Sequence, residues 1–196
     1  MPRGRVNTGD ISIDRRGRAQ NVPAILSYGF RPFFLGASLH AALALPAWLL
    51  IYQTGTGPAG PGAAWHAHEM IFGYLGAAMA GFVLTAVPNW TGRLPLSGWP
   101  LAFLFGLWFA GRVACATIAE PTYALIIDLA FPTALSAAVW REVVAGKSWR
   151  NIPIALLLTV FSIANLVHHL EAGWMDLPLD AIRLSLGMAA MPPPAR

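Results

Sequence analysis

The chain has 196 residues, of which 56% are hydrophobic and only 11% charged, with a formal net charge of +4. Soluble domains carry about a quarter charged residues, so this composition, with mean hydropathy +0.55, excludes an ordinary water-soluble domain and points to a membrane protein. The charge is concentrated near the start: Arg3, Arg5, Arg15, Arg16, Arg18 and Arg31 precede the first apolar run. Beside a membrane span such a tail is an orientation signal rather than a nucleic-acid patch, and no nucleic-acid partner is expected.

Residues 1–27 contain no apolar stretch of the kind a secretory signal needs, and read as a disordered basic cytoplasmic arm. Five apolar runs come next, near 32–52, 67–89, 99–118, 123–141 and 152–170, each long enough to cross about 30 Å of hydrocarbon as a helix. A sixth, near 178–191, is short and interrupted by Asp180 and Arg183, and ends at Pro192-Pro193-Pro194. The expected fold is therefore all-α: a polytopic transmembrane bundle over 28–191, with five spans, a partial or amphipathic sixth helix, and a Pro-rich tail over 192–196.

Alternate threading puts the arm, Arg93, and the group Arg141, Lys147 and Arg150 on one side, whereas the opposite loops hold Glu120, Glu171 and Asp176 and no Lys or Arg. By the positive-inside rule the N-terminus is cytoplasmic, in an inner membrane. The Gly/Pro-rich segment 54–62 is a flexible link. Trp48, Trp65, Trp90, Trp99, Trp140, Trp149 and Trp174 fall near span ends, as an interfacial aromatic belt does.

Polar residues within the spans carry the functional reading. Trp65-His66-Ala67-His68-Glu69 opens the second span at its outer end, and His168, His169 and Glu171 close the fifth on the same face. Four of the five histidines thus converge at similar depth, and imidazole is the commonest metal ligand. At 100° per residue His66, Glu69, Gly73, Ala77, Ala80 and Gly81 share one arc of small residues, so His66 and Glu69 are expected to face the bundle and His68 to face elsewhere. Ser162, Asn165, His168 and His169 form a polar arc on the fifth span. The pattern His-x-His-Glu is not the His-Glu-x-x-His of hydrolytic zinc sites. His40 lies about nine residues into the first span, ~13 Å deep, where a ligand, a proton-relay group and a core histidine are all open readings. Arg112 and Asp128 flank the turn at residues 119–122 almost symmetrically and are expected to form a structural ion pair. Cys115, the single cysteine, excludes an internal disulfide or a CxxC site and reads as a buried small residue.

The segments Ser27-Tyr28-Gly29-Phe30-Arg31-Pro32-Phe33-Phe34, Trp65-His66-Ala67-His68-Glu69-Met70-Ile71-Phe72-Gly73, Leu84-Thr85-Ala86-Val87-Pro88-Asn89-Trp90-Thr91-Gly92-Arg93 and Leu96-Ser97-Gly98-Trp99-Pro100 together resemble the NnrS family. The resemblance is clearest over about 27–112 and looser to about 185. It implies a bacterial membrane protein that holds haem and copper and is linked to nitric oxide metabolism or nitrosative-stress protection. It makes His66, His68 and Glu69 the leading ligand candidates, followed by His168 and His169, while His40 stays a candidate from its place in the first span. Glu69 would orient a ligating imidazole through a hydrogen bond, with Asn165 in the same supporting role. No catalytic residue is assigned. The resemblance also implies further spans beyond Arg196, so a missing C-terminal half or a homo-oligomer enters the expectations. The alternatives are a transporter or metal-handling permease, and a non-functional fragment.

Overall fold

The computed structural model describes residues 23–55 and 63–173. These residues are mainly helical, with no strand among them, and five helices are long and apolar enough to cross a membrane. They are α1 (Phe30–Thr54), α2 (Ala64–Thr91), α3 (Trp99–Thr117), α4 (Pro121–Ala145) and α5 (Ile152–Gly173). Each expected span is present. Four of them extend beyond their apolar run by a few residues, because interfacial residues outside the run still complete helical hydrogen bonds. The sixth helix, the loop at 56–62 and most of the basic arm lie outside the described residues.

Local chemistry sets the helix ends. Glu120 caps α4, its carboxylate accepting from the Tyr123 backbone N–H at 3.2 Å, and Pro121 occupies the first helical position. Gly92 ends α2 in the left-handed conformation (φ 68°), which glycine adopts without a Cβ clash. A 3₁₀ turn, Ala24–Leu26, precedes α1 and is tied down by Arg31, which donates to the Ala24 carbonyl, and by Gly98 N–H, which donates to Leu26.

The central helix is α2, more buried than any other span. It packs on α1 and α4, while α3 lies along α4 and α4 along α5. Its stripe Ala77, Ala80 and Gly81 lets neighbours come close: a Cβ on Gly81 would lie 2.7 Å from the Phe34 ring. Phe33, Leu101, Phe131, Leu135, Val139 and Leu158 complete the apolar core on the side of the bundle toward Arg93 and Arg141. Pro46, Pro88 and Pro132 all sit within helices rather than at their ends. Pro153 lies in the first turn of α5.

One segment departs from regular geometry. Glu69–Leu75, in the N-terminal half of α2, is π-helical, between α-helical stretches at Ala63–His68 and Gly76–Thr91. Such a bulge inserts an extra residue into a turn and rotates the residues before it relative to those after it.

Candidate metal centre

Every span contributes to one buried polar cluster. His40 comes from α1, His68 and Glu69 from α2, Arg112 and Cys115 from α3, Asp128 from α4, and Asn165 and His169 from α5. Glu69 and Asp128 are each 1% exposed. Polar groups at this depth are costly unless partnered.

The two carboxylates organise the contacts. Glu69 Oε2 lies 3.0 Å from Arg112 and 3.0 Å from His40 Nε2, and its Oε1 lies 3.2 Å from His68 Nδ1. Asp128 Oδ1 is paired with Arg112. Its Oδ2 accepts from Asn165 Nδ2 at 2.9 Å and lies 3.0 Å from His169 Nε2 and 3.1 Å from His68 Nε2. Arg112 therefore bridges both acids. The Trp108 indole, one turn earlier on α3, donates to the Gly73 carbonyl at 2.9 Å and fixes α3 against the π segment.

Charge counting defines what the cluster lacks. Two carboxylates face one guanidinium, which leaves one negative charge to be met by a protonated imidazole or a metal cation. The geometry of His68 bears on that choice. Its Nδ1 is in hydrogen-bond contact with Glu69, while its Nε2, though near Asp128, is buried and not aligned for a hydrogen bond. If Nδ1 carries the proton toward Glu69, the lone pair is on Nε2, the arrangement metal-bound histidines adopt. Donor atoms from His68, Cys115, Asp128 and His169 all lie within 4.8 Å of one another, close enough to share one ion. The set is two imidazoles, a thiol and a carboxylate, which suits copper or zinc better than calcium or magnesium.

The positions differ from the helical-phase expectation. His68, not His66, is the buried histidine of the pair, at 4% exposure. His66 stacks on Trp48 of α1, ring centroids 4.5 Å apart, outside the contacts of the cluster. The cause is the π segment: an arc drawn at 100° per residue from Gly73 back to His66 runs through a stretch that does not advance at 100°. Glu69, Gly73, Ala77, Ala80 and Gly81 are buried as the arc requires. His40 is not isolated, because it meets Glu69 across α1 and α2 and stands edge-on to Trp108. His168 packs its ring 4.9 Å from that of His68 and 5.9 Å from Phe72, beside the donor set. Ser162 and Asn165 are buried on the α5 arc.

Cys115 is the residue sequence reasoning passed over as a ligand. It comes three positions after Arg112 on α3 and so shares its inward face. That spacing was the available signal.

Fold and cluster together define a polytopic helical membrane protein with a buried histidine, thiol and carboxylate donor group. The family model described as NnrS protein matches residues 24–192, and the chain belongs to the NnrS family. Comparisons with curated proteins and with solved structures give no match.

Proposed function

We propose that this chain is a multi-pass protein of a bacterial inner membrane, N-terminus cytoplasmic, that binds a copper ion and acts in nitric oxide metabolism or nitrosative-stress protection. The observation that carries the metal reading is His68 Nε2, a buried imidazole nitrogen without a hydrogen bond, set among Cys115, Asp128 and His169. The assignment to nitric oxide rests on family membership.

His68, Cys115, Asp128 and His169 would hold the ion. When bound, copper supplies a one-electron centre with affinity for small uncharged ligands such as nitric oxide, which partitions into lipid. The chain's own residues prepare the site. Glu69 holds His68 by Nδ1 and so selects its tautomer. Asn165 anchors Asp128, and Arg112 neutralises charge that metal would otherwise meet alone. Haem, the second group that family resemblance implies, fits this cluster poorly. The His68 and His168 rings pack against each other and leave no room for a macrocycle between them. We assign haem no ligand here.

Metal analysis of the purified protein tests the reading, with an optical spectrum to report any Soret band. Stoichiometric copper that falls on His68→Ala and His169→Ala, but stays on His66→Ala, is the expected result. Folded protein that takes up no copper, or a His68→Ala variant that keeps it, rejects the site.

A further inference from the structure

Five basic side chains are described outside the buried cluster, and three of them are already engaged. Arg31 donates to the Ala24 carbonyl at 2.6 Å and lies over the Tyr28 and Phe30 rings. Arg93 and Arg141 both donate to Glu142, at 2.5 Å and 2.9 Å. Lys147 and Arg150 have no acidic partner among the described residues.

These two cations occur together at the turn between α4 and α5. With Trp90, Ser148, Trp149 and Asn151 they line one depression of about 600 Å³. Its floor is held in place: Asn151 donates to Ser148 Oγ at 2.6 Å, and Ser148 donates to the Trp90 carbonyl at 3.0 Å. The turn is thus bonded to the end of α2 as well as to its own helices. Trp149 is 57% exposed, an indole at a helix end where the membrane boundary falls. Further along the same two helices, Trp140 and Ile163 line an almost wholly apolar groove of about 410 Å³ within the span region.

We propose that this depression seats the phosphate headgroup of an anionic phospholipid. Two unpaired cations meet the phosphate diester, the two indoles lie at headgroup level, and the apolar groove lies on the hydrocarbon side of the same helix pair. Basic clusters at cytoplasmic helix ends attract anionic lipid by roughly a factor of five per cation. Lys147 and Arg150 differ from Arg93 and Arg141 on this face, which share Glu142, and from Arg31, which is held by a carbonyl and two rings: no carboxylate among the described residues meets them.

Native mass spectrometry of the full chain from mixed micelles tests the seat. Phosphatidylglycerol and phosphatidylcholine are supplied in equal amounts. We expect phosphatidylglycerol to be retained in preference. The preference should fall about fivefold in Lys147→Gln and about thirtyfold in the double variant with Arg150→Gln, while helical circular dichroism is unchanged. Arg93→Gln, which leaves Glu142 paired with Arg141, should keep the full preference. An undiminished preference in the double variant overturns the proposal. So does an equal loss in Arg93→Gln, which would mean a diffuse field, or displacement of the lipid by an equal concentration of inorganic phosphate, which would mean a soluble anion.

Discussion

Asp128 Oδ1 meets Arg112, and Asp128 Oδ2 receives Asn165 and faces His169 and His68, so one carboxylate ties α4 to α2, α3 and α5. Removing one member of a buried ion pair leaves the other charged and unsolvated, at a cost of about 3–5 kcal/mol. Arg112→Met should therefore destabilise the bundle by roughly that amount, because it strands two carboxylates at once. Unfolding in mixed detergent reads this out, and a melting curve like that of the unmodified protein would contradict the bridging role. Gly73 is a second sensitive point. A Cβ there would lie 2.6 Å from His40 Nε2, 3.0 Å from Arg112 and 3.1 Å from Glu69. Gly73→Ala should cost about 1–3 kcal/mol by overpacking and lower metal occupancy, since it pushes on the groups that hold Glu69. An unchanged metal content in a stable Gly73→Ala variant would show that the cluster yields without consequence. The histidine types were legible in the sequence, and so was the opposition of Arg112 and Asp128 across a short turn. The choice between His66 and His68 was not, because neighbouring residues of the same type differ only in helical phase.

At the scale of elements, the π segment Glu69–Leu75 aims the site. Deleting Met70 removes one residue from the widened turn and favours a regular α-helical path. The part of α2 before it then rotates by about 100° relative to the core stripe. The expected outcome is loss of bound metal with helical content preserved; retained metal in the deletion variant would show that the bulge does not set the aim. The contact of α4 with α5 depends on a different polar group. Thr159 Oγ1 accepts from the Trp140 indole at 3.0 Å, lies 3.0 Å from Ser136 Oγ and donates to the Ala155 carbonyl at 2.9 Å. Interhelical hydrogen bonds in bilayers contribute about 0.6–2 kcal/mol. Thr159→Val, nearly the same shape, should lower stability by about 1–2 kcal/mol while leaving metal content alone, because Thr159 is not among the cluster's contacts. Loss of metal in that variant would mean that α5 is positioned through this bond.

For the molecule as a whole, orientation decides where the cluster opens. In the proposed orientation, with the basic loops cytoplasmic, the α1–α2 and α3–α4 connections and the end of α5 face the periplasm. His68 and His169 then sit in the outer half of the bundle. Thiol labelling in intact cells checks this. Tyr123→Cys, 63% exposed in the first turn of α4, should react with a membrane-impermeant reagent, and Leu94→Cys, 86% exposed in the α2–α3 loop, should not. The reverse pattern would invert the molecule. The five spans are readable from sequence alone because hydropathy and length are sums over contiguous residues, and the bilayer imposes the helix on any such run. The proposed orientation rests on a local count of Lys and Arg. Most polar residue types of the cluster, His, Glu, Arg and Asp, also stand in the sequence where apolar ones are expected. Only the tertiary structure decided which of them meet. His40 reaches Glu69 because α1 packs on the π segment, Cys115 joins the donors because α3 lies along α4, and His68 displaces His66 because the helix between Glu69 and Leu75 is wound more widely. Each of these depends on the relative rotation and depth of separate helices, which packing sets and no single stretch of chain encodes.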